Sequence, residues 1–202
     1  MTLQTVFFGL LTANPTLKNR LWEDIVARYS EPGRYYHTME HLQNMYRHLQ
    51  AIFMHIDKKE EVLFALFYHD IIYDPLRKDN ETQSASYAEE ILTKLGSPAD
   101  KITTVAQLIE ATAGHKFHQQ SDVNYFLDAD LSILASIPEN YDEYAANVRK
   151  EYGIYPDNEY RQGRKQVLLS FLSSERIFKT DYFFEQSEAQ ARKNIARELA
   201  GL

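Results

Sequence analysis

The sequence contains no cysteine among its 202 residues. Disulfides, cysteine-ligated zinc, iron–sulfur clusters and thiol nucleophiles are therefore excluded. Glycine and proline are also scarce, with seven and six residues, so the chain is neither collagen-like nor a Pro/Gly-rich disordered chain. A chain of this length buries about 70% of the surface that it exposes when unfolded, which allows one core without cross-links. We therefore expect a single domain spanning residues 1–202.

Long hydrophobic runs and a positive net charge are missing as well. The apolar run near the N-terminus, residues 6–11, is far shorter than the roughly 18 residues that a membrane span requires. It is also a poor signal peptide, because no Lys or Arg precedes it and no small-residue cleavage pattern follows. The formal net charge of −7 would repel DNA and anionic membranes. We expect a cytoplasmic protein with neither as a partner, and the sequence leaves open whether it forms a homo-oligomer.

Apolar residues recur at helical spacing along almost the whole chain. Asn14-Pro15 is typical of an N-cap followed by the first helical residue, and Asn80 with Gln83 three residues later predicts another capped start. The only strand candidate, residues 176–180, is weak and we discount it. The sequence predicts an all-α, single-domain helical bundle. Its helices are expected at about 15–29, 38–56, 58–73, 80–95, 98–114, 121–136, 138–152, 157–175 and 185–200.

The strongest indication of chemistry lies in residues 62–73. Ten of these twelve residues are hydrophobic, and the two exceptions, His69 and Asp70, are adjacent and ionisable. A helix that is apolar on every side is expected to be buried, and a buried carboxylate requires a partner. An arginine, or a His–Asp pair satisfied by backbone groups, would meet this requirement. A divalent cation would neutralise the carboxylate and bind a neutral imidazole at the same time.

Further candidate ligands occur at two other places. His37 stands at the start of a predicted helix, and both Asp128 and Asp130 lie in an otherwise apolar segment. Favourable placement at a helix N-terminus would explain one of these aspartates, but less easily both. The residues themselves leave open which of the two is the ligand.

The ordered set His37, His69-Asp70 and Asp130 resembles the H…HD…D signature of the HD-domain superfamily of metal-dependent phosphohydrolases. Within that superfamily, the surrounding Arg-Tyr-Tyr-His-Thr-Met-Glu-His, Tyr-His-Asp-Ile-Ile-Tyr-Asp and Leu-Asp-Ala-Asp-Leu are similar to a bacterial group of predicted phosphohydrolases. The similarity covers most of the chain. It implies an HD-type helical bundle that hydrolyses a phosphoester, in a small phosphorylated metabolite or nucleotide, with a metal-activated water.

The resemblance also implies a set of site residues. It favours Asp130 over Asp128 as a ligand, with Asp128 orienting a ligand from behind, so that the metal is bound by His37, His69, Asp70 and Asp130. His115 takes the place of an extra histidine that contacts phosphate or a second metal in many such enzymes. An exposed histidine after a glycine C-cap is the alternative for His115.

Four other residues are candidates by their positions in the sequence. Arg34 and Lys116 are the nearest cations that could balance phosphoryl charge, although each could also be a solvated surface charge. Glu81 could orient the attacking water and Asn80 could contact the substrate. A helix-dipole role for Glu81 and a capping role for Asn80 are the alternatives. Two imidazoles and two carboxylates suit Mn, Fe, Co, Ni or Zn.

Three other interpretations remain open. Residues 37–41 read H-x-x-E-H, the pattern of some zinc proteases, but this reading leaves His69 and Asp70 unexplained. We favour the HD interpretation, in which Glu40 and His41 either support the ligands from behind or lie at the rim of the site. Some HD-fold proteins are di-iron oxygenases, which have additional histidine ligands. His115, with His118 close by, could supply one of these ligands. A non-catalytic binding module braced by its metal is the third interpretation.

Overall fold

The computed structural model describes residues 2–202, and these residues form α-helices joined by short loops. Two short 3₁₀ helices, Phe53–His55 and Leu131–Ala135, accompany them, and no strand occurs in residues 2–202. The α-helices are α1 (Leu3–Gly9), α2 (Pro15–Arg28), α3 (Met39–Ala51), α4 (Lys59–Tyr68), α5 (Asn80–Lys94), α6 (Ala99–Ala111), α7 (Ser121–Asp130), α8 (Pro138–Glu151), α9 (Asp157–Ser173) and α10 (Asp181–Gly201). The predicted all-α fold is confirmed.

Polar side chains cap the starts of several helices. The Oδ1 atom of Asn14 accepts a hydrogen bond from the backbone N–H of Leu17 at 2.9 Å, which confirms the predicted start of α2. The last helix begins at Asp181 rather than at residue 185, because Thr180 occupies its N-cap and accepts from the N–H of Phe183. A hydroxyl or amide oxygen at this position satisfies a backbone donor that the helix itself leaves free.

The capping role predicted for Asn80 is wrong. Asp79 occupies the N-cap position, and Asn80 is the first residue of α5. The amide of Asn80 instead bridges the backbone of Asp74, accepting from its N–H at 3.1 Å and donating to its carbonyl at 2.9 Å. Asn80 therefore closes the loop between α4 and α5.

Helix α4 ends at Tyr68, five residues earlier than the apolar pattern predicts. The guanidinium of Arg34 donates to the carbonyl of Asp70 at 2.7 Å and to that of Ile71 at 3.0 Å. A side chain from another part of the chain thus satisfies carbonyls beyond the helix end. The chain leaves the helical path at His69, where the two ionisable residues stand.

The apolar segment of α4 lies at the centre of the molecule. Residues Val62, Phe64, Ala65, Leu66, Phe67 and Tyr68 are all buried. Helix α4 packs against α1, α3, α5 and α6, and Phe7 of α1 meets Phe67 edge-on with ring centroids 5.0 Å apart. A helix that is apolar all round is therefore enclosed by its neighbours, as the sequence indicates.

The buried hydrophobic residues form one cluster that extends from Leu3 to Ile195. The apolar run near the N-terminus belongs to this cluster, since Val6 and Phe7 of α1 are buried in it. No helix in residues 2–202 is both long enough and apolar enough to cross a bilayer. The single domain spanning residues 1–202 stays a prediction.

Candidate metal centre

Four side chains from three parts of the chain converge beside the end of α4. Residue His41 belongs to α3, His69 and Asp70 follow α4, and Asp130 is the last residue of α7. The Nε2 atom of His41 lies 3.1 Å from Nε2 of His69 and 3.2 Å from Oδ1 of Asp130. The Oδ2 atom of Asp70 lies 3.0 Å from Nε2 of His69 and 3.7 Å from Nε2 of His41. We call these four residues the His/Asp cluster.

The spacing of these atoms fits a common metal ion. Two donors that each lie about 2.1 Å from one ion are about 3.0 Å apart at a right angle and about 3.4 Å apart in a tetrahedron. Nε2 of His69 and Oδ1 of Asp130 are 3.7 Å apart, so the measured separations in the cluster span 3.0 to 3.7 Å. Imidazole nitrogen and carboxylate oxygen together suit zinc and the first-row transition metals. The residues therefore fit a divalent ion.

The ring of His69 is oriented by the helix that precedes it. Its Nδ1 lies 3.0 Å from the carbonyl oxygen of Leu66, an acceptor, so Nδ1 carries the proton of the neutral ring. Nε2 is then left with its lone pair facing the other donors of the cluster. A hydrogen bond from the ring nitrogen that faces away from the metal fixes the tautomer and the ring angle that a metal ligand requires.

The charges of the cluster favour a cation. Burial raises the pKa of the Asp70 carboxyl, but the neighbouring His69 and His37 hold it well below its ordinary range. Burial also opposes ionisation of Asp130, and hydrogen bonds from His115 and His41 lower its pKa well below normal. Two ionised carboxylates give the cluster two negative charges, which a divalent ion would cancel.

In the absence of an ion, a proton serves the same electrostatic purpose. Burial lowers the pKa of His69, but the charge and hydrogen bond of Asp70, together with the charge of Asp130 and the carbonyl of Leu66, raise it to about 9. A proton on His69 and a metal ion at the cluster are therefore alternatives, since the ligand must offer a free lone pair.

The first histidine of the cluster is His41 and not His37, which corrects the sequence-based ligand set. The Nδ1 atom of His37 lies 2.7 Å from Oε2 of Glu151, and its ring packs on Tyr73 with centroids 4.2 Å apart. The ring of His41 is 5.9 Å away and forms the contacts to His69 described above. His41 neither lies at the rim nor supports a ligand from behind, because its side chain is only 4% exposed and its Nε2 faces His69 and Asp130.

A signal for His41 does exist in the sequence. The buried residues of α3 follow one helical face and are His41, Leu42, Met45, Tyr46 and Leu49. His41 stands one turn before Met45 on this face, and His37 precedes the helix altogether. Helical periodicity applied to α3 would have selected the correct histidine.

Sequence reasoning missed Glu151, whose buried carboxylate holds the loop before α3. Its Oε1 accepts the backbone N–H groups of Tyr35, Tyr36 and His37 at 2.8, 2.8 and 2.9 Å. Its Oε2 accepts from the hydroxyl of Tyr73 at 2.9 Å as well as from His37. Burial raises the pKa of Glu151, but the hydrogen bonds from His37 and the backbone bring it down to about 2. Nothing in the sequence distinguishes this glutamate from the exposed charges next to it.

The rival H-x-x-E-H motif is not assembled as one site. Glu40 is exposed to solvent. His37 binds Glu151, while His41 turns toward the His/Asp cluster. The three residues of the motif therefore lie in three different environments.

His115 reaches the cluster through Asp130. Its Nε2 lies 2.8 Å from Oδ2 of Asp130, the oxygen that does not face His41. The residue adopts a positive φ of 45°, which turns its ring back toward α7 after the end of α6. His118 lies outside the cluster, because its Nδ1 accepts the N–H of Gln120 within the same loop.

Asp128 does not orient a ligand, which corrects the role given to it by resemblance. Its side chain is fully buried and accepts hydrogen bonds from the N–H of Lys179 at 2.8 Å and from the N–H and hydroxyl of Thr180, both at 2.7 Å. The carboxylate of Asp128 therefore ties α7 to the segment that starts α10. The two aspartates of this segment have different tasks, and Asp130 alone faces the cluster.

The side chains of two predicted substrate-binding residues form hydrogen bonds with backbone groups. Arg34 holds the carbonyls of Asp70 and Ile71, and its side chain is 2% exposed. Asn80 bridges both backbone groups of Asp74. Neither side chain is free to contact a substrate, so both predictions are corrected. Arg34 instead supports the loop that carries Asp70.

A cleft of about 610 Å³ opens beside the His/Asp cluster. Its wall includes Asp130, His115 and His37, so a molecule in the cleft would meet the cluster directly. Glu81 also lines the cleft, whereas Lys116 is exposed and lies outside the wall. The remainder of the wall is rich in tyrosine, from the loop before α3 and from α8, α9 and their connection.

Comparison with known families gives one result. Residues 38–147, more than half of the chain, match the profile of the family described as HD domain. The match contains all four residues of the His/Asp cluster but not His37. Neither the curated proteins nor the solved structures contain a match to the chain.

Proposed function

The chain belongs to the HD-domain family, and on that premise we propose that it is a metal-dependent phosphohydrolase. Its substrate is a small phosphorylated metabolite or nucleotide, and its ion is bound by His41, His69, Asp70 and Asp130. The observation that carries the proposal is the convergence of His41, His69 and Asp130, with Asp70 3.0 Å from His69 and 3.7 Å from His41, beside an open cleft. We also propose a cytoplasmic location and Mn, Fe, Co, Ni or Zn as the ion.

A divalent ion at these donors would act as a Lewis acid toward a phosphoryl oxygen and lower the pKa of a water molecule. The side chains of the chain provide the orientation. Leu66 fixes the ring of His69, and Asp130 uses one oxygen for the cluster and the other for His115. These contacts hold the donors in place before a substrate arrives, which avoids reorganisation during the reaction.

Three residues complete the proposed reaction site. His115 stands between the cluster and the cleft, where it contacts a phosphoryl group. Glu81, whose side chain lines the cleft, orients the attacking water. Lys116 stands next to His115 and is exposed, so its flexible ammonium can approach a phosphate from the solvent side.

The decisive experiment compares three histidine variants of the same helix region. We expect His41→Ala to lose its metal and to reduce kcat/KM for a hydrolysed phosphoester by more than about a hundredfold, because even residues that only support metal ligands cost about 10- to 100-fold. His37→Ala should keep its metal. His48→Ala, an exposed histidine on α3, is the matched control and should keep both metal and activity.

Metal analysis and a panel of phosphorylated metabolites provide the readouts. Stoichiometric metal in His41→Ala would refute the ligand assignment. A metal-loaded wild-type protein that hydrolyses no member of a broad panel would refute the phosphohydrolase proposal and favour a non-catalytic module. An oxygen-dependent optical spectrum of an iron-loaded protein would favour an oxygenase.

A further inference from the structure

The cleft beside the His/Asp cluster is much larger than a phosphate group requires. Its volume of about 610 Å³ falls within the range of about 300–1,000 Å³ that encloses drug-sized ligands. Much of the wall beyond the cluster consists of partly buried tyrosines, which are Tyr36, Tyr144, Tyr152, Tyr155 and Tyr160. The cleft is therefore suited to a substrate with a sizeable organic part.

The tyrosines form a nearly continuous aromatic wall that begins at the cluster. The ring of Tyr36 lies 5.0 Å from that of His41 and 4.7 Å from that of Tyr144. Tyr152 in turn stands 6.1 Å from Tyr155 and 6.2 Å from Tyr160. Partly exposed aromatic rings of this kind stack on planar ring systems.

The charges of the cleft wall disfavour a second phosphate group. Arg164 is the one arginine among the described residues of the wall. It is 8% exposed and donates to Glu198 from Nε at 2.7 Å and from Nη2 at 3.0 Å. Its Nη1 donates to the hydroxyl of Tyr144 at 3.3 Å. The other charged residues away from the cluster are acidic, Glu81 and Glu159. Free Arg or Lys side chains are the strongest donors to additional phosphates, and the described wall offers none.

A substitution at one position in the wall would reduce the space in the cleft. Gly163 of α9 lines the cleft, and a Cβ atom added there would meet nothing within 4 Å. The neighbouring Gln162 is exposed and is not part of the wall. A large side chain at position 163 would therefore occupy the cleft, and the same side chain at position 162 would not.

We infer that the cleft takes a phosphomonoester of nucleoside size, with one phosphate at the His/Asp cluster and a planar aromatic ring against the tyrosines of α8 and α9. This inference rests on the proposed function for the position of the phosphate. The organic part is neutral or cationic, because Glu81 and Glu159 face the cleft. Nucleoside diphosphates and triphosphates are selected against.

The first test measures kcat/KM of the metal-loaded wild-type protein for three probes. Adenosine 5′-monophosphate should exceed glycerol 2-phosphate by at least about fivefold, the lower end of the effect of one base–aromatic stack. It should also exceed adenosine 5′-triphosphate, because the described wall offers no free Arg or Lys to the additional phosphates. Equal or greater efficiency with glycerol 2-phosphate would overturn the aromatic-ring inference. Equal or greater efficiency with the triphosphate would overturn the single-phosphate inference.

The second test blocks the cleft. Gly163→Leu should raise KM for adenosine 5′-monophosphate at least about tenfold and leave hydrolysis of glycerol 2-phosphate unchanged within about twofold. Leucine favours the helix more than glycine does, so the fold should persist. Gln162→Leu is the matched control and should affect neither substrate. An unchanged KM in Gly163→Leu would contradict the inference.

A third measurement separates this inference from the proposed function. Adenosine itself, which has no phosphate, should bind the wild-type protein in titration calorimetry, and Gly163→Leu should abolish that binding. If the protein hydrolyses phosphoesters but does not bind adenosine, the inference fails and the proposed function stands. If it binds adenosine through the cleft but hydrolyses nothing, the ring site stands and the proposed function fails.

Discussion

Four imidazoles stand close together in this protein, and for three of them the hydrogen-bond partner of the ring decides its role. His69 gives its Nδ1 proton to a helix carbonyl and turns Nε2 to the cluster. His37 gives the same proton to the buried carboxylate of Glu151, which holds its ring in the loop before α3. His115 uses Nε2 itself, on Asp130. The hydrogen bond made by one ring nitrogen of a histidine thus decides what its other nitrogen can bind.

The carboxylate of Glu151 stabilises the fold in a pH-dependent way. Its pKa is about 2 in the folded protein against 4.5 ordinarily, so its contribution is complete above pH 4.5 and disappears as the pH falls toward 2. We expect Glu151→Gln to lower the free energy of unfolding at pH 7 by about 1–3 kcal/mol, because its amide would direct a donor at the donors of His37 and Tyr73. Chemical denaturation at several pH values measures the difference.

The deficit of Glu151→Gln should grow as the pH falls from 8 toward 6, because the charge and hydrogen bond of Glu151 also help to raise the pKa of His37. It should shrink below pH 4.5. Glu143→Gln, an exposed glutamate of the same helix, is the control and should change stability little at any pH. A deficit that stays constant down to pH 3 would contradict the assigned pKa shift.

At the scale of the helices, the cluster is built where helices begin and end. His41 lies in the first turn of α3, His69 and Asp70 follow the last turn of α4, and Asp130 closes α7. Backbone groups are unsatisfied at helix ends, so side chains such as Arg34 can take part there and redirect the chain. The early end of α4 is what frees Asp70 from the helix and lets it face His41.

Two aspartates at the end of α7 allow a matched comparison. Asp128→Asn should keep its metal but lose about 1–3 kcal/mol of stability, because one oxygen that accepts from Lys179 and Thr180 becomes an amide donor. Asp130→Asn should lose its metal. Thermal denaturation and metal analysis of both variants decide the matter. The opposite pattern, with metal lost only from Asp128→Asn, would show that the wrong aspartate has been assigned to the cluster.

At the scale of the whole molecule, the core does not depend on the metal. The buried hydrophobic cluster extends from Leu3 to Ile195 and encloses α4 on several sides. An ion at the His/Asp cluster adds binding free energy to a chain that already has a continuous core. Removal of the metal is therefore expected to weaken the fold and not to abolish it.

Chelation provides the corresponding prediction. With free metal at a hundred times its Kd, binding adds about 2.7 kcal/mol to the free energy of unfolding. Removal of the ion should lower Tm by about 2–4 °C for each kcal/mol in a protein of this size. Circular dichroism should still show a cooperative helical transition. Asp130→Asn is the control, and its Tm should not respond to the chelator; an unfolded chelated wild type would contradict the prediction.

Local patterns in the sequence determined the helical fold and the buried position of His69. Apolar residues at helical spacing determine which face of a helix is buried, and this depends only on residues three or four apart. The segment that became α4 shows this directly, because its apolar character on all sides requires enclosure by other helices. The same local signal, applied to α3, distinguishes His41 from His37.

Only the tertiary structure decided which side chains meet. His41 and His69 are 28 residues apart, and His37 and Glu151 are 114 apart, yet each pair is in contact. These contacts depend on how helices cross and where they end, which no short stretch of sequence encodes. For the same reason, Arg34 binds carbonyls at the end of α4 instead of the substrate that the sequence predicted. The tyrosines of α8 and α9 likewise line one cleft with Tyr36, which precedes α3. Side-chain chemistry is local, whereas the position of each group is set by packing across the whole chain.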